Sequence, residues 1–184
     1  MTGTSPSTHH GGTLTRRHDG QVRVTTPERI IYTIGHGKES FERLATRLAP
    51  HLVQTIVDIR SNPYSRHAPE FGKRELRAIS AERGFGYRWL GDRLGGRPAH
   101  PSVSDAAGNL DFTALAQSPD LAAALAELDG LTAVSTVTLL CSEMAPEHCH
   151  RMMWVAPVLE TRGYRVIHIL GDGSVQPHQP TLGL

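Results

Sequence analysis

From Arg29 onward the chain alternates between apolar runs and helical periods. Before that point it does neither. Ile30-Ile31-Tyr32-Thr33-Ile34 is a β-rich apolar run stopped by Gly35-His36-Gly37, and Ser40 followed by Phe41-Glu42-Arg43-Leu44-Ala45 starts a helix that Pro50 ends. Leu52 to Arg60 reads as a second strand, apolar enough to be covered on both faces as in a parallel sheet. Lys73 to Glu82 predicts a helix closed by Gly84, Tyr87 to Leu90 a short strand, Gly91 to Gly96 a Gly-rich turn and Arg97 to Asn109 a loop. Phe112 to Gln117 and Leu121 to Leu128 are helical by period and alanine content. Thr136 to Cys141 is the next strand, Glu147 to Arg162 a helix bent at Pro157, and Tyr164 to Ile169 the last strand. Strands alternating with helices of this length imply βαβ crossovers. The expectation is a single α/β domain, three-layered, with a mostly parallel, doubly wound, Rossmann-like sheet over residues 29–170.

Residues 1–28 are rich in Thr, Ser, Gly, His and Arg without an apolar period, so this arm buries too little to offset its ordering entropy and is expected to be flexible. Residues 171–184, with Pro177 and Pro180, read as a C-terminal surface tail.

A length of 184 residues suits one domain with a real core. Lys+Arg 19 against Asp+Glu 18 leaves a net charge of +1, which supplies no overall field toward nucleic acid or an anionic membrane. Any basic surface must be local. No apolar run reaches bilayer-spanning length and Met1 to Pro6 carry no hydrophobic signal stretch, so a cytoplasmic protein without a membrane partner is expected. The two cysteines are too few for a disulfide scaffold and would stay thiols in a reducing compartment.

In open parallel sheets, ligands bind beyond the carboxyl ends of the strands. The first predicted strand brings Gly35 and His36 to that edge, the second brings Asp58 and Arg60, and the strand ending at Cys141 brings Cys141 and Glu143. The densest stretch is Cys141-Ser142-Glu143-Met144-Ala145-Pro146-Glu147-His148-Cys149-His150-Arg151. Pro146 suits a first helical turn, which would place Cys149 in or close to it, where free amides and the helix dipole favour a thiolate. Cys141 also reads as a small apolar residue filling space at a strand end. Cys141 and Cys149 with His148 or His150 could hold zinc, although the spacing is not that of paired CxxC motifs and no metal is assigned. Arg60, Arg66 and Arg151 are candidates for gripping an anion, and Tyr64 and Tyr87 for stacking on a flat ring. His36, flanked by glycines, is a candidate acid, base or donor, and Asp58 an acid–base group or a partner for arginine. His168 reads as a satisfied buried histidine.

These segments together resemble the domain-of-unknown-function 488 family. The resemblance rests on Thr33-Ile34-Gly35-His36, Val57-Asp58-Ile59-Arg60, Pro63 with Ser65-Arg66, Phe71, Leu94-Gly95-Gly96, Leu140-Cys141 with Glu143, Cys149-His150-Arg151 and Val166-Ile167-His168-Ile169. It runs from about Ile30 to Ile169, and Gly37 stands where a serine is common in the family. It implies a compact α/β domain whose polar residues gather in one site. It implies no reaction, and an occasional association with DNA repair is its only contextual hint.

The leading functional expectation is an enzyme of thiol chemistry acting on a small phosphorylated, nucleotide-like or carboxylate substrate. Cys149 is its thiolate, Cys141 its partner and His36 or His150 its acid or base, with the arginines anchoring the anionic group. One alternative is a nucleotide or single-stranded nucleic-acid binding module, possible in a DNA-repair setting. Another is acid–base catalysis on a nucleotide or sugar by Asp58, Glu143 and His36, with structural cysteines.

Overall fold

The computed structural model describes residues 13–16, 22–25, 29–64, 66, 68–96, 111, 114–115 and 117–179. Strands β1 (Thr13–Arg16) and β2 (Val22–Thr25) form an antiparallel pair of their own. Thus part of the segment expected to be flexible carries strand structure. Both four-residue stretches, TLTR and VRVT, alternate with the period of two that suits a ribbon.

The main sheet comprises β3 (Arg29–Gly35), β4 (Thr55–Asp58), β5 (Gly86–Trp89), β6 (Val137–Cys141), β7 (Tyr164–Ile169) and β8 (Val175–Pro177) in the order β5-β4-β6-β3-β7-β8. Its first five strands are parallel, and β8 runs antiparallel to β7. Every residue of β4 and β6 is buried, which is why both strands are mainly apolar instead of alternating, with Thr55, Asp58 and Thr138 as buried polar exceptions.

The helices are α1 (Phe41–Leu48), α2 (Lys73–Glu82), α3 (Gly91–Leu94), α4 (Pro119–Val134) and α5 (Ala156–Thr161). Ser40 caps α1, accepting from the Arg43 amide. Two hydrophobic clusters separate the layers. Phe41, Leu44, Leu48, Phe71 and Leu76 cover Ile34, Ile56, Leu140 and Ile169 on one face. Leu94, Leu121, Leu125, Leu128, Trp154, Val155 and Leu159 cover Ile31, Val57, Leu139 and Val166 on the other. The architecture is therefore three-layered α/β, as the alternation of elements predicts. No helix of the described residues is long and apolar enough to cross a membrane.

Four local expectations change. The second strand begins at Thr55 rather than Leu52, because a 3-10 turn at Ala49–His51 ends with Leu52 in the left-handed region (φ 52°) and its side chain exposed. Gly91–Leu94 is a helical turn, not an irregular Gly-rich one. The segment 171–184, expected as surface tail, contributes β8; Pro177 is tolerated because β8 is an edge strand.

The fourth change concerns the predicted helix Glu147–Arg162, which is broken into a 3-10 turn at Pro146–His148, an extended Cys149, a π-helical turn at Arg151–Val155 and then α5. Pro157 lacks the amide that would bond one turn back, and the chain widens just upstream of it, with the Ala156 amide donating to Arg151. Of the predicted Phe112–Gln117 helix, Ala114 and Leu115 are helical while Phe112, Thr113 and Ala116 lie outside the described residues. The loop expected at 97–109 also lies outside them, as does Ser65.

Topology fixes where a ligand site can form. β3 and β4 lead into α1 and α2 on one face, whereas β6, which lies between them, leads toward α5 on the other. Diverging connections leave a crevice beyond the carboxyl end of β6.

Candidate functional site

Cys141 is the last residue of β6, and the crevice beyond it is a cavity of about 450 Å3 lined by Arg60, Ser61, Asn62, Gly96, Cys141, Ser142, Glu143, His148, Cys149, His150 and Met153. Both thiols are free and almost fully buried. The break after Pro146–His148 puts Cys149 just past that turn in extended backbone (φ −123°, ψ 141°), where its carbonyl accepts from the Met152 and Met153 amides. Cys149 thus stands before the next helical turn instead of inside the first one. His150 follows immediately, and its Nδ1 lies 3.7 Å from the sulfur of Cys141 and 3.7 Å from that of Cys149.

Its other ring nitrogen, Nε2, is 3.1 Å from the carbonyl oxygen of Ile59. A carbonyl can only accept, so Nε2 carries a proton, and Nδ1, which faces both sulfurs, can take a proton from a thiol in the neutral ring and donate to a thiolate once it is protonated. The two sulfurs lie within 4.8 Å of each other. The neighbouring Cys149 thiol, then His150, holds Cys141 below the ordinary thiol range against the opposing effect of burial, while Cys141 and burial push Cys149 up.

A second cluster lies at the end of β4. Arg60 grips Asp58 with two parallel bonds, Nε to Oδ1 at 2.8 Å and NH2 to Oδ2 at 2.6 Å, with both side chains buried. The same guanidinium donates to the Phe71 carbonyl at 2.8 Å and, through NH1, to His36 Nε2 at 3.1 Å. Tyr87 donates its hydroxyl to Asp58 at 2.9 Å; burial, then the Asp58 charge, pushes that hydroxyl up, so it stays a donor. His36 stacks on Phe71 with centroids 4.1 Å apart. Burial, then Arg60, lowers the His36 pKa to about 4, and its acceptor nitrogen is already occupied by a guanidinium. That imidazole is neutral and positioned. The two clusters are tied through backbone: His36 N–H donates to the Cys141 carbonyl at 3.0 Å and Ile59 N–H to Leu140 at 3.0 Å. A Cβ at Gly35 would sit 1.8 Å from the Glu143 carbonyl oxygen, so only glycine lets β3 lie this close to the loop after β6.

The sequence-nominated residues thus divide. Cys141, Cys149, His150, Glu143 and Arg60 line one cavity. Asp58, His36 and Tyr87 support Arg60 from the α1/α2 side. Arg151 is fully buried and donates to the Glu143 and Met144 carbonyls at 2.9 and 2.7 Å, bracing the loop between the two cysteines. Arg66 and Tyr64 are exposed and line a different depression with Pro69, Gly72 and Glu75. His168 is satisfied as read, bonded to Thr33 at 2.7 Å and His178 at 3.3 Å. Sequence reasoning missed Ser61, Asn62 and Met153 as cavity residues and the Ile59 carbonyl as the group orienting His150. Ser61-Asn62 carried a usable signal, because they directly follow Asp58-Ile59-Arg60 at a strand end. The carbonyl carried none.

Among known proteins, no curated protein and no solved structure matches the chain. One family profile matches residues 40–156, well over half of the chain, spanning the Asp58–Arg60 and Cys141–Arg151 segments but not Thr33–His36 or Val166–Ile169. The chain belongs to the family described as Domain of unknown function DUF488.

Proposed function

We propose that this protein is an enzyme whose reaction centre is the Cys141–Cys149–His150 cluster, acting on a small anionic substrate of phosphorylated, nucleotide-like or carboxylate type. The observation that carries this reading is the placement of His150 Nδ1 at 3.7 Å from both sulfurs, with its tautomer set by the Ile59 carbonyl. An imidazole so held can take a proton from a thiol and return it to a leaving group, the arrangement nucleophilic thiol chemistry needs. The cavity volume lies within the range of small-molecule sites. Arg60 lines that cavity with its charge balanced by Asp58. Arg151 lies beneath the thiols with no carboxylate ion pair among the described residues, which favours negative charge above it.

The test is turnover of a panel of phosphate monoesters, nucleotides and carboxylate esters followed by mass spectrometry. Cys149→Ser and Cys141→Ser are expected to abolish turnover while retaining the wild-type circular dichroism spectrum. Full turnover in both variants rejects the reading. The rival binding-module reading draws on exposed Tyr64 and Arg66. Oligonucleotide binding with a steep salt slope, unchanged by both cysteine substitutions, would select it instead. Proton transfer by Asp58 has less support, because that carboxylate is fully buried and already holds Arg60 and Tyr87.

A further inference from the structure

We infer that Cys141 Sγ, Cys149 Sγ and His150 Nδ1 form a three-ligand site for a soft divalent cation, zinc above others, whose fourth position opens into the cavity beside Ser61 and Asn62. The three donor atoms lie within 4.8 Å of one another. Zinc bonds thiolate at about 2.3 Å and imidazole at about 2.0–2.1 Å, so a tetrahedral site separates sulfur from nitrogen by roughly 3.6 Å. Both sulfur–nitrogen separations here are 3.7 Å, so each thiol already stands at the distance from the imidazole that shared coordination requires, with the two sulfurs within 4.8 Å of each other. Two thiolates and a neutral imidazole are the soft donor set that selects zinc over magnesium or calcium.

The surroundings fit the same assignment. A metal-ligating histidine as a rule donates its second ring N–H to a carbonyl or carboxylate, which fixes the ring and raises its basicity. Ile59 supplies that carbonyl at 3.1 Å. Gly96 packs against the ring at its Nδ1 edge, where a Cβ would lie 3.0 Å from Nδ1 and crowd the ligand position. The rigid end of β6 carries one thiol, and the break at Cys149 aims the second thiol and the imidazole back at it. Among the described residues no fourth His, Cys, Asp or Glu side chain joins the group, and His148 lines the cavity without joining it. Three protein ligands with a position left for water or a substrate oxygen is the arrangement of catalytic zinc, in contrast to the closed four-ligand structural kind. Loading would release the thiol protons to solvent and turn both sulfurs into ligands.

The inference rests on the same three side chains as the proposed reaction centre, which in the loaded protein would serve as ligands and leave the open fourth position as the reacting one, and cation binding is measured without any substrate. Tag-free, full-length protein stripped with a chelator is titrated with Co2+ and then Zn2+. One equivalent of Co2+ is expected to bind with the visible absorption of a tetrahedral thiolate complex and to be displaced by Zn2+. One equivalent of Zn2+ should also shield both wild-type thiols from alkylation, a readout that needs no variant. Cys141→Ser, Cys149→Ser and His150→Ala should each weaken Zn2+ binding by more than about 100-fold, beyond the loss typical of an outer partner, whereas His148→Ala should leave it within about threefold. Equal alkylation with and without Zn2+, or tight binding that survives both cysteine substitutions, overturns the site. Zinc binding without turnover of any panel compound would keep the site and sink the enzyme reading. Turnover by stripped protein that binds no zinc would do the reverse.

Discussion

The ends of β4 and β6 are neighbours in the sheet and handle their polar groups in opposite ways. At β4, Asp58 is held by Arg60 and Tyr87, and Arg60 is shared among Asp58, the Phe71 carbonyl and His36. Its carboxylate and guanidinium are taken up in holding the end of β4 together, while His36 Nδ1 is buried without a hydrogen-bond partner among the described residues. At β6 the two thiols share one imidazole nitrogen and border an open cavity, leaving donor capacity free for something else. The contrast teaches that polar residues converging on one sheet edge need not share one task. A network whose carboxylate and guanidinium are fully paired fixes geometry, and a less paired one beside it is available to a ligand.

The largest expected effect tests the first half of that contrast. Asp58→Ala leaves the Arg60 guanidinium buried without its counterion and should cost about 3–5 kcal/mol in urea unfolding. A loss below about 1 kcal/mol would mean that the β4 cluster is not a scaffold and would reopen Asp58 and Arg60 as reacting groups.

Behind the sulfur cluster lies His168, facing Thr33 on the neighbouring strand, His178, and the charge of Arg151. Burial, then Arg151, then His178, lowers its pKa from the ordinary imidazole value to about 4. The unfolded chain therefore binds the extra proton first, and folding stability falls as pH drops from about 6.5 to about 4, levelling off below that. The expected loss is on the order of 3 kcal/mol. His168→Asn should remove about half of that slope in urea midpoints taken at intervals across the window, the rest coming from His36, whose pKa is lowered to about 4 as well. An unchanged slope would show that the acid sensitivity arises elsewhere.

The smallest effect concerns a residue both regions leave out. Arg66 is exposed at a separate depression, so Arg66→Ala should shift stability by less than about 0.5 kcal/mol and leave Zn2+ affinity unaltered. Weakened turnover of an anionic substrate in that variant would extend the site beyond the β6 cavity.

Much of this was legible in the chain itself. The mainly apolar β4 and β6, the helical period after Ser40 and the alternation of elements determine a parallel, three-layered sheet, because buried strands and amphipathic helices each impose their own period. The strand-end rule likewise brings Cys141, Asp58, Arg60 and His36 to one edge. Tertiary structure decided how those residues divide. Which face a side chain takes depends on strand register, and Asp58 pairs across from Leu140, one position before Cys141. The break at Cys149 arises where Pro146 closes one turn and Pro157 forces the next to widen. The orientation of His150 depends on a backbone carbonyl from Ile59, a group every residue possesses and no side-chain pattern can mark.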